Sequence, residues 1–265
     1  MTTLSLGAML KELRLPAVRG CYAQEAETAR REGLTHEDYL AVVFGREHES
    51  RQNNRVERLR RESHLPHGKT LAALERTRFP RRVDQQLGVL AQGHFLKRAE
   101  NILVFGNPGS GKTHLLAALG HALVDSGRAV LFTTAGHLVQ DLLRAKRDLR
   151  LEKRLKQLRR FEALVLDDIG YIQHDREEME VLFALLADRY ERGSIMLSSN
   201  LPFSKWETIF KDPMTATAAI DRLVHHCVIL ELNVKSYRLE SAGKNAAMPE
   251  EPPQAGTEEP SPTAR

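Results

Sequence analysis

The chain has 265 residues, of which 42% are apolar and 28% charged, and a formal charge of +4. No apolar run approaches the ~18 residues of a membrane span, and no apolar leader follows Met1, so a cytoplasmic protein is expected. Cys21 and Cys227 lie far apart without metal-ligand spacing and read as ordinary thiols.

Residues 1 to about 95 read as a small all-helical domain. Leu4 to Leu13 is a short amphipathic piece. Thr35 followed by Asp38 resembles a capping box, opening a helix that runs to about Glu62. Pro66 and Gly68 mark a break, Thr70 is a candidate cap for a further helix, and Pro80 is expected to end it. From 96 to 243 strand and helix signals alternate, as in a parallel sheet with crossovers. The expected strands are Asn101–Phe105, Ala129–Thr133, Ala163–Asp167, Ile195–Ser199 and Cys227–Leu232. The stretch 244–265 is rich in Pro and Glu and lacks the apolar residues to order itself. From Ala246 onward it carries four Glu and one Arg, so the remaining 38 basic and 31 acidic residues give the rest +7. A basic body suggests a polyanionic partner.

The first strand leads into Gly106-Asn107-Pro108-Gly109-Ser110-Gly111-Lys112-Thr113. This fits G-x-x-x-x-G-K-[ST], the phosphate-binding loop. Its glycines let the backbone N–H groups converge on a polyphosphate. Lys112 supplies a cation, and Thr113 a hydroxyl for Mg²⁺. The helix from Thr113 to Val124 aims its N-terminus at the anion. ATP with Mg²⁺ is the expected ligand.

Next comes LLRAKRDLRLEKRLKQLRR, residues 142 to 160, with nine basic residues and two acids between Arg144 and Arg160. Leu138, Leu142, Ala145 and Leu149 form one helical stripe, and Leu151, Leu155 and Leu158 an offset one. Two helices, or one bent near Leu149, would pack by leucines with cations outward. An excess of seven positive charges exceeds what intrahelical pairs can neutralise. Arg144, Lys146, Arg147, Arg150, Lys153, Arg154 and Lys156 are therefore candidate contacts to duplex phosphates; the alternative is a solvated face. The run lacks aromatics for stacking on single strands.

The strand Ala163 to Asp167 ends in two carboxylates, Asp167 and Asp168. Asp167 is the candidate Mg²⁺ partner beside Thr113, and Asp168 the residue that polarises an attacking water. Asn200 follows another buried strand and would orient water if that strand lies between the loop strand and the Asp167 strand; otherwise it is a turn former before Leu-Pro. Arg222 closes a helix before the last strand, poorly placed for its own site but able to reach a neighbour's γ-phosphate. An ion pair with Asp221 or Glu231 is its alternative. His225 and His226 adjoin the last strand, and strand alternation would send them to opposite faces.

Together these segments resemble the IstB family, the ATPase helper subunits of IstA/IstB-type insertion sequences, in the AAA+ branch of DnaA and DnaC. The resemblance covers residues 4 to about 240. It rests on LKELRLPAVRGCY, RTRFP at Arg76 to Pro80, NPGSGKTHLLAAL, LFTTAGHLVQDLL, LVLDDIGY, SSNLPFSKWETIFKDP, DRLVHHCVIL and SYRL at Ser236 to Leu239. It implies an α/β fold of the AAA+ (ASCE-type) P-loop class, a five-stranded parallel sheet behind a helical amino-terminal domain. A carboxy-terminal lid domain is not expected, which leaves Arg238 as the candidate for a sensor arginine. It also implies an ATPase that assembles as a homo-oligomer on target DNA, with Arg222 acting in trans. Such proteins deform that DNA and recruit and activate a partner, IstA-like transposase. Two other readings are a DnaC-like helicase loader and a small-molecule P-loop kinase.

Overall fold

A computed structural model describes residues 5–169, 176–202, 205–206, 213–234 and 236–237. Arg238, the tail 244–265 and the question of a lid lie outside the described residues.

Three helices lead the chain: α1 (Leu6–Glu12), α2 (Pro16–Glu32) and α3 (His36–Ser63). Thr35 caps α3, its Oγ1 accepting from Asp38 N at 3.1 Å, as the capping box predicts. The start of α2 has no local side-chain cap. Buried Glu47 of α3 supplies one from a distance, its Oε2 accepting from Ala17 N (2.8 Å) and Val18 N (3.3 Å). Arg51 beside it and these amide donors hold the Glu47 carboxyl below the usual range, against the opposing pull of burial. Leu10, Val18 and Val43 form the small core of this helical head.

Residues 69–75 form no helix; Thr70 Oγ1 accepts only from Ala73 N, at 3.3 Å, and a short 3-10 turn spans Arg76–Arg78. Leu71 and Leu74 have helical spacing, yet both pack into the core beside the sheet. That burial outweighs the local preference. Pro80, expected to end a helix, instead precedes α4 (Arg81–Ala91). A second 3-10 turn (His94–Arg98) follows.

The sheet contains β1 (Asn101–Gly106), β2 (Val130–Thr134), β3 (Ala163–Asp167), β4 (Ser194–Ser199) and β5 (Cys227–Leu232), all parallel, in the order β2-β3-β4-β1-β5. Each strand matches its expected span to within one residue. The crossovers are α5 (Lys112–Asp125), the pair α6 (Ala135–Arg147) and α7 (Leu151–Leu158), α8 (Arg176–Arg189) and α9 (Pro213–Val224).

Strand alternation sorts the core into two layers. Ile102, Val104, Val165 and Met196 face Leu87 of α4 and Leu116 and Leu119 of α5, and Leu59 of α3 joins them. Leu103, Leu164, Leu166 and Leu197 face Leu142, Leu158, Leu182, Leu185 and Leu223. Each fully buried leucine contributes about 1.5–3 kcal/mol. Side chains on both sides of residue 95 thus share one core. Trp206 is fully buried against Phe105, with its Nε1 donating to Leu201 O at 3.1 Å, and so anchors the segment after β4.

The α6–α7 joint corrects the leucine pattern. Two helices form, but Leu149 is 95% exposed and has φ +56°, so it leaves the stripe of Leu138 and Leu142. His225 and His226 lie in a turn before β5, where alternation does not operate. Their rings sit 4.2 Å apart, on one side, with Glu191 close by. Among the described residues no helix is long and apolar enough to cross a membrane.

Candidate nucleotide site

The loop Gly106–Thr113 lies between β1 and α5, at the carboxy-terminal edge of the sheet. Gly109 and Gly111 have φ +79° and +94°, which only glycine adopts without strain. A Cβ on Gly106 would stand 2.7 Å from Leu232 O and from Ser110 Oγ, and one on Gly109 would collide with Ser236. Asn107 O accepts from Ser110 N at 3.1 Å and closes the turn, with Asn107 and Pro108 exposed at its rim. Lys112 is buried and donates from Nζ to Gly106 O (2.7 Å) and Asn107 O (3.0 Å), so the ammonium is held within the loop. Ser110 Oγ is buried without a hydrogen-bond partner. This hydroxyl, the amide groups opening α5 and the Lys112 cation make a cradle that fits a polyphosphate.

Across the cleft, Thr113 Oγ1 donates to Asp167 Oδ1 at 3.0 Å, and Ser198 Oγ donates to the same oxygen at 2.6 Å. Asp168 N donates to Ser198 Oγ at 2.8 Å. Asp168 has φ +65°, so the chain turns sharply as β3 ends, and Asp167 and Asp168 both line the cleft. A hydroxyl and a carboxylate in contact beside a phosphate cradle are the hard oxygen donors that suit Mg²⁺. Thr113 and Asp167 thus meet as their sequence positions suggest.

The cleft holds about 330 Å³. Its far wall comes from residues that motif reading left without a role: Lys69, Leu74, Arg78, Phe79, His114 and Tyr237. Arg78 stacks over the Tyr237 ring at 5.1 Å, and Tyr237 N donates to Gly109 O at 3.0 Å, pinning Tyr237 to the loop. Phe79 carbons lie 3.6 Å from where a Gly111 Cβ would be. Burial pushes the His114 imidazole below its usual range, so it is neutral near pH 7.

Asn200 and Arg222 are not among the described residues that line this cleft. β4 does lie between β1 and β3, as the Asn200 reading requires. Asn200 is half-buried, its Oδ1 has no hydrogen-bond partner, and it is not among the described lining residues. Arg222 sits by the opening end of β1, where Asn101 donates from Nδ2 to Leu223 O at 3.0 Å. The length of β1, about 17 Å at ~3.3 Å per residue, separates that end from the phosphate loop. Arg222 stacks on Phe183 at 4.4 Å and donates to Ala218 O at 3.4 Å. Among the described residues it forms no ion pair.

The basic helices partly neutralise one another. Lys146 pairs with Glu180 (2.6 Å), Arg147 with Glu177 (3.8 Å) and Arg154 with Asp141 (2.6 Å). Pairs along one helix cannot neutralise the excess, but Glu177 and Glu180 reach across from α8. Arg144, Arg150, Lys153 and Lys156 are exposed and form no ion pair among the described residues.

Comparison with known proteins agrees with the fold and the loop. The model of the IstB-like ATP binding protein family matches residues 8–245. A protein of Sinorhizobium fredii, named as an insertion sequence ATP-binding protein, is 45% identical over 238 residues, 89% of this chain and 80% of its own. A protein of Pseudomonas aeruginosa, named for the insertion sequence IS21 and ATP binding, is 38% identical over 242 residues, 90% of each chain. Among solved structures, AMPPCP-bound DnaA from Aquifex aeolicus superposes with a TM-score of 0.55 at 17% identity, over 69% of this chain and 56% of that one. At that identity the likeness speaks to the fold alone. With the family model spanning nearly the whole chain and two relatives well above 30% identity, this chain belongs to the IstB-like ATP-binding proteins of insertion sequences.

Proposed function

We propose that this protein is an ATP-driven transposition helper: it binds and hydrolyses Mg-ATP, assembles on duplex DNA and recruits a partner transposase. The observation that carries the reading is the Thr113–Asp167–Ser198–Asp168 chain of hydrogen bonds facing the Gly106–Thr113 cradle in one cleft. Thr113 and Asp167 would hold Mg²⁺, which supplies positive charge to the polyphosphate. Lys112 and the loop amides bind phosphate oxygens. Asp168, turned into the cleft by its left-handed backbone, positions water for attack on the γ-phosphate, and Asn200, just past the end of β4, assists.

Arg222 is too far from its own cleft to serve it and acts on that of an adjacent copy, so ATP at the interface favours assembly. Assembly then sums weak phosphate contacts from Arg144, Arg150, Lys153 and Lys156 on each copy, with Lys146, Arg147 and Arg154 giving lesser support because acids already engage them. Hydrolysis loosens the interface and releases the complex. The names of the relatives support ATP binding and an insertion-sequence setting. The test is sedimentation with a DNA duplex: wild type should co-sediment as large particles with ATP, and Lys112→Ala should not. Nucleotide-independent sedimentation, or none at all, would refute the reading.

A further inference from the structure

Leu149 breaks two local rules at once. Helix α6 ends in a Schellman motif: Leu149 N donates to Lys146 O (3.0 Å) and Arg150 N to Ala145 O (2.7 Å). The left-handed residue of that motif is ordinarily Gly or Asn, because a larger side chain strains the backbone there. Here it is a leucine at φ +56°. It is also the most exposed large apolar side chain among the described residues, at 95% against 66% for Leu13. Neither backbone preference nor core packing accounts for a leucine at this position, and such unexplained departures concentrate at functional sites.

Its surroundings are specific. Helix α7 folds back along α6, tied by Arg154 Nε to Asp141 Oδ2 at 2.6 Å, so Leu149 crowns the turn of a helical hairpin. Arg150 adjoins it, and Arg144, Lys153 and Lys156 extend the solvent-facing charge along both helices. No other exposed large apolar residue lies between 135 and 160. A protein-docking surface needs a contiguous apolar patch, whereas a DNA wedge needs one apolar side chain between phosphate-holding cations.

We propose that Leu149 is a wedge that enters the minor groove of duplex DNA and partly unstacks one base step, while Arg144, Arg150, Lys153 and Lys156 hold the flanking phosphates. The inference rests on the duplex-binding reading above and adds to it the residue that deforms the DNA.

The test uses the full-length protein with ATP and duplexes carrying 2-aminopurine within and fluorophores at both ends. Wild type should raise 2-aminopurine fluorescence and shorten the end-to-end distance. Leu149→Gly suits the left-handed backbone, so its Tm should be no lower than wild type, yet both signals should vanish while salt-dependent binding persists. Leu149→Met should retain them. Undiminished signals with Leu149→Gly would overturn the wedge. So would a wild type that binds duplex without any 2-aminopurine change, and in that case duplex binding itself would stand. A wild type that binds no duplex at all would sink both. Should Leu149→Gly deform DNA normally but lose a partner protein, the side chain is a protein contact and the wedge is wrong.

Discussion

Ser198 opens the SSNLPFSKW segment with no role assigned to it, yet the geometry makes it the joint between the candidate carboxylates Asp167 and Asp168. Its hydroxyl donates to Asp167 Oδ1 at 2.6 Å and accepts from Asp168 N at 2.8 Å. Ser198→Ala removes both bonds. A hydrogen bond to a charged group contributes about 1.5–3 kcal/mol, and an orphaned buried N–H costs about 1–3 kcal/mol. The cleft admits water, which can satisfy part of the second cost, so about 2 kcal/mol of lost order at Asp168 is a fair total. Expressed wholly in the transition state, that is a loss of about 30-fold in kcat. Thr113, Lys112 and the glycines are untouched, so nucleotide affinity should shift by less than about threefold. Steady-state ATP hydrolysis on duplex DNA, paired with a fluorescent-nucleotide titration, separates the two. A kcat within about twofold of wild type would show that Ser198 does not position Asp168. A collapse of affinity with kcat intact would place it in ground-state binding instead.

Arg222→Ala should keep nucleotide binding and lose ATP hydrolysis by about 10³-fold or more. Mixing it with Lys112→Ala should restore part of the rate, since one kind of interface then joins an intact loop to an intact arginine; no recovery would exclude a trans role. Arg150→Ala, Lys153→Ala and Lys156→Ala combined should flatten the plot of log affinity against log salt by up to about three units, while Arg154→Ala, already engaged by Asp141, should change it less. Burial holds His114 below its ordinary 6.5, so the unfolded chain takes up a proton the native chain refuses. Stability should therefore fall as pH drops below 6.5, and denaturant titrations of His114→Asn should show a shallower loss.

The strands were legible because each is a short, unbroken apolar run between polar turns, and burial on both faces leaves little ambiguity. Lys112, Thr113 and Asp167 were legible because phosphate and metal chemistry restrict the residue types. The rest depends on distance. Arg78, Phe79 and Tyr237 converge on the cleft from opposite ends of the chain, and local pattern carries no trace of that. Ser198 offered one usable signal, the hydroxyl pair Ser198-Ser199 that closes a fully buried strand. Leu71 and Leu74 mimic a helix because i, i+3 spacing also suits a strap laid over a core. Leu149 continues a heptad-like count only if the helix goes on, and the helix stops two residues earlier.

Among the described residues, helix α3 joins two places that share no other long element. Its first half carries Glu47, which holds α2, and its second half inserts Leu59 beside the sheet. There Arg60 grips Asp125 at 2.8 Å, and Arg55 donates to Gly127 O at 3.2 Å. Asp125 is the last residue of α5, whose first is Lys112. The molecule therefore contains a rod and a boom: a displacement at the Lys112 end of α5 would be passed to the root of α3. At 1.5 Å per residue the 28-residue boom is about 42 Å long, and a swing of ~5° at its root moves its tip by ~4 Å.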